Sequence, residues 1–314
     1  MTLTDDRLDL LAACRVPGIS WELVAREAQR AGSVERLLAG EVLERSKAGD
    51  QARELLVDAA GSLPERREWV LREHQTAIDA GARLVTVLDD DYPANLRVIV
   101  NLPPFVYMLG TLDPGDALSV AVVGTRQASP EGRDKAARMA RVLAERGVTV
   151  VSGLAAGIDT AAHEATLAAD GRTIAVMGTG ILVRYPKENA SLADRIAGSG
   201  ALISQFWPSS PPLRYNFPKR NVVTSGISQG TVVIEASSTS GAKMQARLAI
   251  EHGKTVFLVK SLVMQQPWAQ AYVERHGRRV VVVDSVDDVT EHLRSVEDVG
   301  ALTSQRRQLA FDLS

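Results

Sequence analysis

Apolar residues change their spacing twice along this chain, near residue 80 and near residue 117. Before residue 80 they recur every three to four positions, beginning with Leu8, Leu10 and Leu11, and this spacing predicts amphipathic helices. After residue 117, short runs such as Val120–Val123 are apolar at every position and alternate with segments of helical spacing. Strands of that kind are covered by helices on both faces, so the pattern predicts an α/β protein with a doubly wound, mostly parallel sheet.

The same pattern gives bounds for strands and domains. The predicted strands are Leu84–Leu88, Ser119–Val123, Thr149–Ser152, Thr173–Met177, Leu202–Ser204, Thr231–Ile234, Thr255–Val259 and Arg279–Val283. We expect a helical N-terminal domain over residues 1–80, a strand-containing connector packed on the core over 81–116, the doubly wound domain over 117–294 and a C-terminal tail over 295–314.

Two local sequences before residue 117 bear on function. A Pro17-Gly18 turn between two short helices resembles a helix-hairpin-helix or SAM-like element, whose hairpin amides contact DNA phosphates. Ser20 stands where a second glycine is usual, so a simple helix turn stays open as the alternative. The triplet at residues 89–91, Asp-Asp-Asp, is expected to be a solvated turn and not a metal site, because alternate side chains point apart.

Composition limits the classes of function open to 314 residues. The formal net charge is −2, so a nucleic-acid site has to be a local basic patch. Aromatic residues make up only 4% of the chain, which argues against a dedicated stacking platform. Cys14 is the single cysteine, expected in the core, and excludes an internal disulfide. We expect a cytoplasmic protein without a membrane partner, since no signal peptide or apolar run of about 20 residues is present.

Five glycine-rich or charged turns fall at the carboxyl ends of predicted strands. They are Gly124-Thr125-Arg126, Ser152-Gly153 through Gly157, Gly178-Thr179-Gly180, Phe217 through Asn221, and Glu235 through Ser240-Gly241. This edge of a doubly wound sheet gathers ligands, and glycines there let backbone N–H groups approach an anion. Several such turns side by side, with Arg and Lys among them, predict a track for a polyanion and indicate nucleic acid or a nucleotide.

Charged residues in these turns have expected roles. Arg126 can hold a phosphate through two donors. Asp159 and His163 lie four residues apart on one predicted helix, and fit either a general base with its partner or a hydrogen-bonded support of the loop, which we favour. Glu235 has no nucleophile nearby in the pattern and is expected to orient Arg220 or Asn221.

The segment before Asn221 mixes basic and aromatic residues, as suits a single-stranded nucleic acid. We expect Lys219 and Arg220 to contact the ligand, whereas Tyr215 either contacts it or pins the loop to the core. A nicotinamide or flavin cofactor is not expected, because Val183 stands where the third glycine of G-x-G-x-x-G belongs and no P-loop is present.

These motifs, with Ala162-His163 and Tyr185-Pro186, occur in the order seen in the DNA-processing protein A (DprA/Smf) family. The resemblance to that family covers roughly residues 8–260. The resemblance implies an extended Rossmann domain that binds single-stranded DNA, often as a homodimer. It also implies protection of DNA in natural transformation and loading of a RecA-type recombinase, with no cofactor and no catalysis. The residues expected to bind DNA or phosphate are Gly124, Thr125, Arg126, Ser152, Gly153, Gly157, Phe217, Lys219, Arg220, Asn221, Ser240, Gly241 and Lys243, with Asp159, His163 and Glu235 organising loops. No catalytic or metal-binding residue is expected.

Some positions depart from the family pattern. Val222 replaces a usual Arg, Gln205 a usual Glu, and Lys260 stands where Pro-Gly is usual. We hypothesise that Lys243 and Lys260 replace part of the lost positive charge. A nucleotide-derivative sensor or LOG-like nucleotide hydrolase on the same fold is the alternative, although the Pro-Gly-Gly-x-Gly-Thr-x-x-Glu run of the hydrolases is absent. No C-terminal winged helix is expected, and residues 306–313 are either a frayed helix or a docking peptide.

Overall fold

Helices occupy the chain before the first strand. The computed structural model describes residues 3–30 and 33–302. The helices of this region are α1 (Asp5–Ala13), α2 (Trp21–Ala28), α3 (Ser33–Leu38), α4 (Lys47–Ala59) and α5 (Leu63–Asp79). Cys14 is buried between α1 and α2, as expected. Ser20 caps α2, because its hydroxyl accepts from the Leu23 N–H at 3.2 Å, and Gly81 follows α5 with a φ of 79°.

Nine strands of the described residues form one sheet in the order β1-β2-β6-β5-β4-β3-β7-β8-β9. They are β1 (Arg83–Thr86), β2 (Phe105–Gly110), β3 (Ser119–Val123), β4 (Thr149–Ser152), β5 (Thr173–Val176), β6 (Ala201–Ser204), β7 (Gly230–Val233), β8 (Thr255–Val259) and β9 (Val280–Val283). Strands β3 to β9 pair in parallel, while β2 pairs antiparallel with β6 and β1. The expected α/β class with a mostly parallel sheet is confirmed.

The remaining helices connect and cover the strands. They are α6 (Ala94–Arg97), α7 (Pro130–Glu145), α8 (Ile158–Ala168), α9 (Ala190–Ser199), α10 (Asn216–Ile227), α11 (Gly241–Glu251), α12 (Lys260–Gln265), α13 (Pro267–His276) and α14 (Asp287–Thr290). Every residue of β3 to β7 is buried, as strands with helices on both faces require. No helix within the described ranges combines the length and apolar character needed to cross a bilayer.

The antiparallel edge differs from the sequence prediction. Strand β2 was not predicted, although its first four residues are buried. The expected strand Leu84–Leu88 ends at Thr86, because the Asp89 carboxylate accepts from the Thr86 N–H at 2.8 Å and from its hydroxyl at 3.0 Å, which turns the chain. Asp89 is also paired with Arg7 and is buried, so the expectation of a solvated aspartate turn is wrong for this residue.

The topology places one crevice at the centre of the sheet. From β3 the chain runs outward through β4, β5 and β6, then returns to the other side of β3 as β7 and continues to β8 and β9. Ligands of doubly wound sheets bind where the strand order reverses, outside the carboxyl ends of the strands. Here that point lies between β3 and β7. The domain boundaries stay a prediction, and of the predicted tail residues 296–302 are helical while 303–314 lie outside the described residues.

Candidate functional site

The cavity at this crevice, which we name the central cleft, has a volume of about 420 Å³. It is lined by the turn after β3, the β4–α8 loop, the first half of α10 and the β7–α11 loop. Of the predicted site residues it brings together Gly124, Thr125, Arg126, Gly153, Asp159, Phe217, Arg220, Asn221, Ser240 and Gly241.

The turn after β3 is held in one conformation by its neighbours. Gly124 has no room for a side chain, because a Cβ would meet the Ile158 side chain and the Glu235 carbonyl. The Thr125 N–H donates to the Glu235 carbonyl at 2.7 Å, and the Ile158 N–H donates to the Thr125 carbonyl at 3.3 Å. The turn is therefore tied to both the β7 end and the start of α8, so it presents its following residue at a fixed place.

Arg126 is the residue so presented, and it is exposed. Its guanidinium lies over the Phe217 ring, 5.1 Å from the centroid. Within residues 3–30 and 33–302 no carboxylate pairs with it. The Phe217 ring packs in turn against Gly178, where a Cβ would meet it, and against Tyr185 at 5.7 Å between centroids. An unpaired guanidinium on a supported aromatic ring is suited to binding phosphate and an adjacent base.

Arg220 has a different place from the one expected of a surface contact. It is only 6% exposed, and its guanidinium donates to the carbonyls of Gly153 and Val176, the latter at 2.8 Å. Its Nε donates to the Asn221 side chain at 3.1 Å. Burial lowers the pKa of Arg220. It lies in the floor of the central cleft, where it adds positive potential and holds the β4–α8 loop.

Asp159 holds the same loop from the other side. Its carboxylate accepts from the N–H groups of Gly153 at 3.1 Å and Ala155 at 3.3 Å. Burial raises the pKa of Asp159, and the nearby Arg220 charge opposes that rise. Because these contacts engage the carboxylate with backbone donors, the geometry matches the loop-supporting alternative for Asp159.

His163 makes its hydrogen bond to a different element. It is fully buried, and its Nδ1 lies 2.7 Å from the Thr173 hydroxyl, which itself donates to the Val150 carbonyl at 2.7 Å. Nδ1 therefore carries the proton, and Nε2 is left without a hydrogen bond among the described residues. Burial lowers the pKa of His163 to about 3. The hydrogen bond of His163 reaches β5 and not the β4–α8 loop, so its expected loop-organising role stays a prediction.

Glu235 also has other partners than those predicted. Its carboxylate accepts from the Ser129 N–H at 3.1 Å and from the Ser129 hydroxyl at 2.9 Å. Ser129 is the N-cap of α7, and Pro130 is the first residue of the helix. Strand β7 lies beside β3, which places Glu235 next to the start of α7. Its carboxylate therefore binds the unsatisfied donors at that helix N-terminus instead of Arg220 or Asn221.

Four further predicted residues lie outside the central cleft. Ser152 is buried and donates to the Val122 carbonyl at 2.7 Å, while Gly157, with a φ of 82°, packs against the turn after β3. The Lys219 ammonium lies 5.9 Å from the Tyr215 ring centroid, on another face of α10, and the Lys243 ammonium lies 5.8 Å from that of Trp268.

Lys260 pairs with Asp284 at 2.7 Å and lines a separate cleft, and neither Lys260 nor Lys243 lines the central cleft. That these two lysines replace part of the lost positive charge stays a prediction. Residues that sequence reasoning missed there include Gln127, Ala155 and Met244. Gln127 follows Arg126, Ala155 lies between Gly153 and Gly157, and Met244 comes soon after Gly241. Their closeness in sequence to predicted site residues could have identified them. Across the described ranges, no group of three or more acidic, histidine or cysteine side chains is placed to hold a metal ion.

Comparison with known proteins adds an independent finding. The family model described as "DNA recombination-mediator protein A" matches residues 83–294. Protein Smf of Synechocystis sp. is 36% identical over 236 residues, which is 74% of this chain and 57% of that protein. The chain thus spans little more than half the length of that relative.

Two solved structures share the fold. The X-ray structure of DNA processing protein A from Streptococcus pneumoniae aligns with a TM-score of 0.73 at 29% identity, covering 94% of this chain and 99% of that one. DNA processing protein A from Helicobacter pylori, described for its single-stranded DNA binding mode, aligns with a TM-score of 0.58 at 23% identity, covering 71% of this chain and 96% of that one. At that identity the second likeness shows the fold alone.

Proposed function

The chain belongs to the family of DNA recombination-mediator protein A, and from that membership we propose that it binds single-stranded DNA in the central cleft. The observation that carries the proposal is Arg126, an exposed guanidinium beside a rigid glycine turn and an aromatic ring. A single strand offers both a phosphate for the guanidinium and an unpaired base for the Phe217 ring.

We propose binding without catalysis. The acidic group that lines the central cleft, Asp159, is engaged by backbone N–H groups and stands beside the buried Arg220. A general base has to reach a proton on the substrate, and a carboxylate already engaged by loop amides would lose those bonds by doing so. Asp159 and Arg220 shape the loop that meets the DNA.

We propose the cellular role on the basis of the family description. A recombination mediator acts together with a recombinase, which supports a RecA-type recombinase as partner and a part in recombination or natural transformation. The relatives are described as DNA processing proteins, which supports a cytoplasmic site of action beside the DNA. A homodimer is proposed on the resemblance alone.

Fluorescence anisotropy with a labelled strand of about 30 nucleotides tests the DNA proposal. We expect salt-dependent binding by the wild type, and about tenfold or greater loss with Arg126→Ala, whose salt slope falls by about one. Arg141→Ala is the matched control, because Arg141 is exposed on α7, outside the central cleft, with the same charge change.

Two results would overturn the proposal. One is absence of wild-type binding at low salt. The other is equal affinity of the Arg126→Ala and Arg141→Ala variants, since the guanidinium in the central cleft would then contribute nothing. In the first case, titration with nucleotides tests the sensor alternative.

A further inference from the structure

A second cavity lies on the opposite side of α10 from the central cleft, between the N-terminal helices and the sheet. We name it the aromatic groove. Its volume is about 300 Å³, and the residues that matter for the argument are Trp21, Glu22, Gln205, Trp207, Tyr215 and Lys219. We propose that it takes a nucleobase of the same single strand that occupies the central cleft. The inference rests on the proposed function.

The groove wall is a fixed aromatic surface. Trp21 meets Trp207 edge to face at 5.8 Å between centroids and Phe105 at 5.1 Å. The Trp21 indole N–H donates to the Cys14 carbonyl at 2.9 Å, so the ring is anchored in one orientation. Both tryptophans are only half-buried, which leaves ring surface open to the groove. Rings held in this way can stack on or pack against a flat base at little cost in conformational freedom.

Gln205 supplies a polar side chain that can bind a ligand in the groove. It is 8% exposed and lines the groove, yet its side-chain amide has no hydrogen bond to any residue of the described chain. Its amide atoms are accessible from the groove, so they can pair with a ligand that enters it. An amide carries a donor and an acceptor side by side, which is the pattern that the edge of a base requires.

The charges in the groove favour a base over a phosphate inside it. Glu22 lines the groove, held by the Ser20 hydroxyl at 2.9 Å, and a carboxylate repels phosphate but accepts from the exocyclic amine of a base. The cation, Lys219, is exposed and lies 5.9 Å from the ring centroid of Tyr215, itself 61% exposed. Phosphate is therefore expected at Lys219, with the base beyond it.

Helix α10 connects the two cavities. Phe217, Arg220 and Asn221 line the central cleft, whereas Lys219 and Val222 line the aromatic groove. Residues three apart share a helix face, so Lys219 and Val222 point together to the groove side. A strand that leaves Arg126 along Phe217 crosses the first turn of α10 and meets Lys219 next. This explains the place of Lys219, which the central cleft does not.

The test measures the affinity of the full chain for labelled single strands of increasing length, from about 3 to about 12 nucleotides. In the wild type we expect a rise in affinity once the strand is long enough to cross α10, accompanied by quenching of tryptophan fluorescence. Gln205→Glu keeps the side-chain shape, replaces the amide with a second carboxylate, and is expected to weaken the longer strands about tenfold while leaving the shortest unchanged.

Tyr215→Ala, at an exposed position, is the second variant, and is expected to weaken the longer strands about fivefold without altering the salt slope. Gln270→Glu is the matched control, because it makes the same charge change on the exposed face of α13, outside both cavities.

The outcomes separate this inference from the proposed function. Binding that depends on Arg126 but is unaffected by Gln205→Glu and Tyr215→Ala at every length overturns the groove and leaves the central cleft standing. Binding of a free deoxynucleoside monophosphate to the groove, with no length dependence for strands, also overturns it, because the base would then not belong to the bound strand. No strand binding by the wild type removes both proposals together.

Discussion

The buried pair of Arg220 and Asp159 shows how single residues set the shape of the central cleft. Arg220 donates to a carbonyl of the loop after β4, and Asp159 accepts from N–H groups of the same loop, so the loop is held by both kinds of backbone group. Gly153 lies between them, and a Cβ there would occupy the space of the Arg220 guanidinium. The glycine is needed for close approach of a side chain, in addition to any approach of a ligand.

Gly153→Ala is therefore expected to displace the guanidinium from the Gly153 and Val176 carbonyls. We expect the free energy of unfolding to fall by about 1–3 kcal/mol, as for overpacked interiors, and DNA affinity to fall as the loop moves. Urea denaturation measures the first and anisotropy the second. Gly198→Ala is the control, because a Cβ at that helical position meets nothing within 4 Å, and it is expected to stabilise by about 0.4–1 kcal/mol. Equal stability of the two variants would contradict the role of Gly153.

Among the elements, α7 starts with a contact that joins it to β7. The Ser129 hydroxyl accepts from the Gly132 N–H at 2.9 Å and donates to Glu235. A negative charge beside a helix N-terminus is favourable because it faces the positive end of the helix dipole. Because Ser129 follows β3 and Glu235 follows β7, their contact also holds the loops after these two strands beside the central cleft.

Ser129→Ala removes the cap and is expected to lower the free energy of unfolding by about 1 kcal/mol. A double-mutant cycle that combines Ser129→Ala with Glu235→Gln measures the coupling of the two side chains. We expect a coupling free energy of at least about 0.5 kcal/mol. Additive losses would show that the carboxylate acts on α7 through the Ser129 N–H and the helix dipole, and not through the Ser129 hydroxyl.

The elements also show what sequence can predict. Strands β3, β4 and β8 have their predicted bounds, because strands buried on both faces are continuous apolar runs ended by a glycine or polar turn. The turn at Gly124 could be placed in the central cleft because the carboxyl ends of parallel strands share one edge. Strand β2 could not be predicted, since it follows Pro103-Pro104 and pairs antiparallel with β6, a strand distant in sequence. The side of α10 to which Lys219 points could not be predicted either, because it depends on which face of α10 the N-terminal helices cover.

At the scale of the whole molecule, the formal net charge of −2 gives no long-range attraction to a polyanion. The proposed affinity for DNA would then depend on local cations, among them Arg126 in the central cleft and Lys219 beside the aromatic groove. The two cavities lie on either side of one helix, and the second exists because β1 and β2 join the N-terminal region to the sheet through β6.

Stability of the whole molecule is expected to depend on pH through one buried histidine. Burial lowers the pKa of His163 to about 3, against an ordinary value of 6.5. Between these values the unfolded chain binds a proton that the native protein does not, so the free energy of unfolding falls as pH drops through that window. One such histidine accounts for about 2 kcal/mol between pH 7 and pH 5.

His163→Asn tests this, because the Asn amide can still donate to Thr173 but does not titrate. Urea unfolding at pH 7 and pH 5 is expected to show a loss on acidification that is smaller by about 2 kcal/mol in the variant than in the wild type. The comparison is between pH values within each protein, so any constant cost of the substitution cancels. His292→Asn is the control, since His292 is exposed. An identical loss in wild type and His163→Asn would mean that the buried imidazole is protonated in the native state and that Nε2 has a partner there.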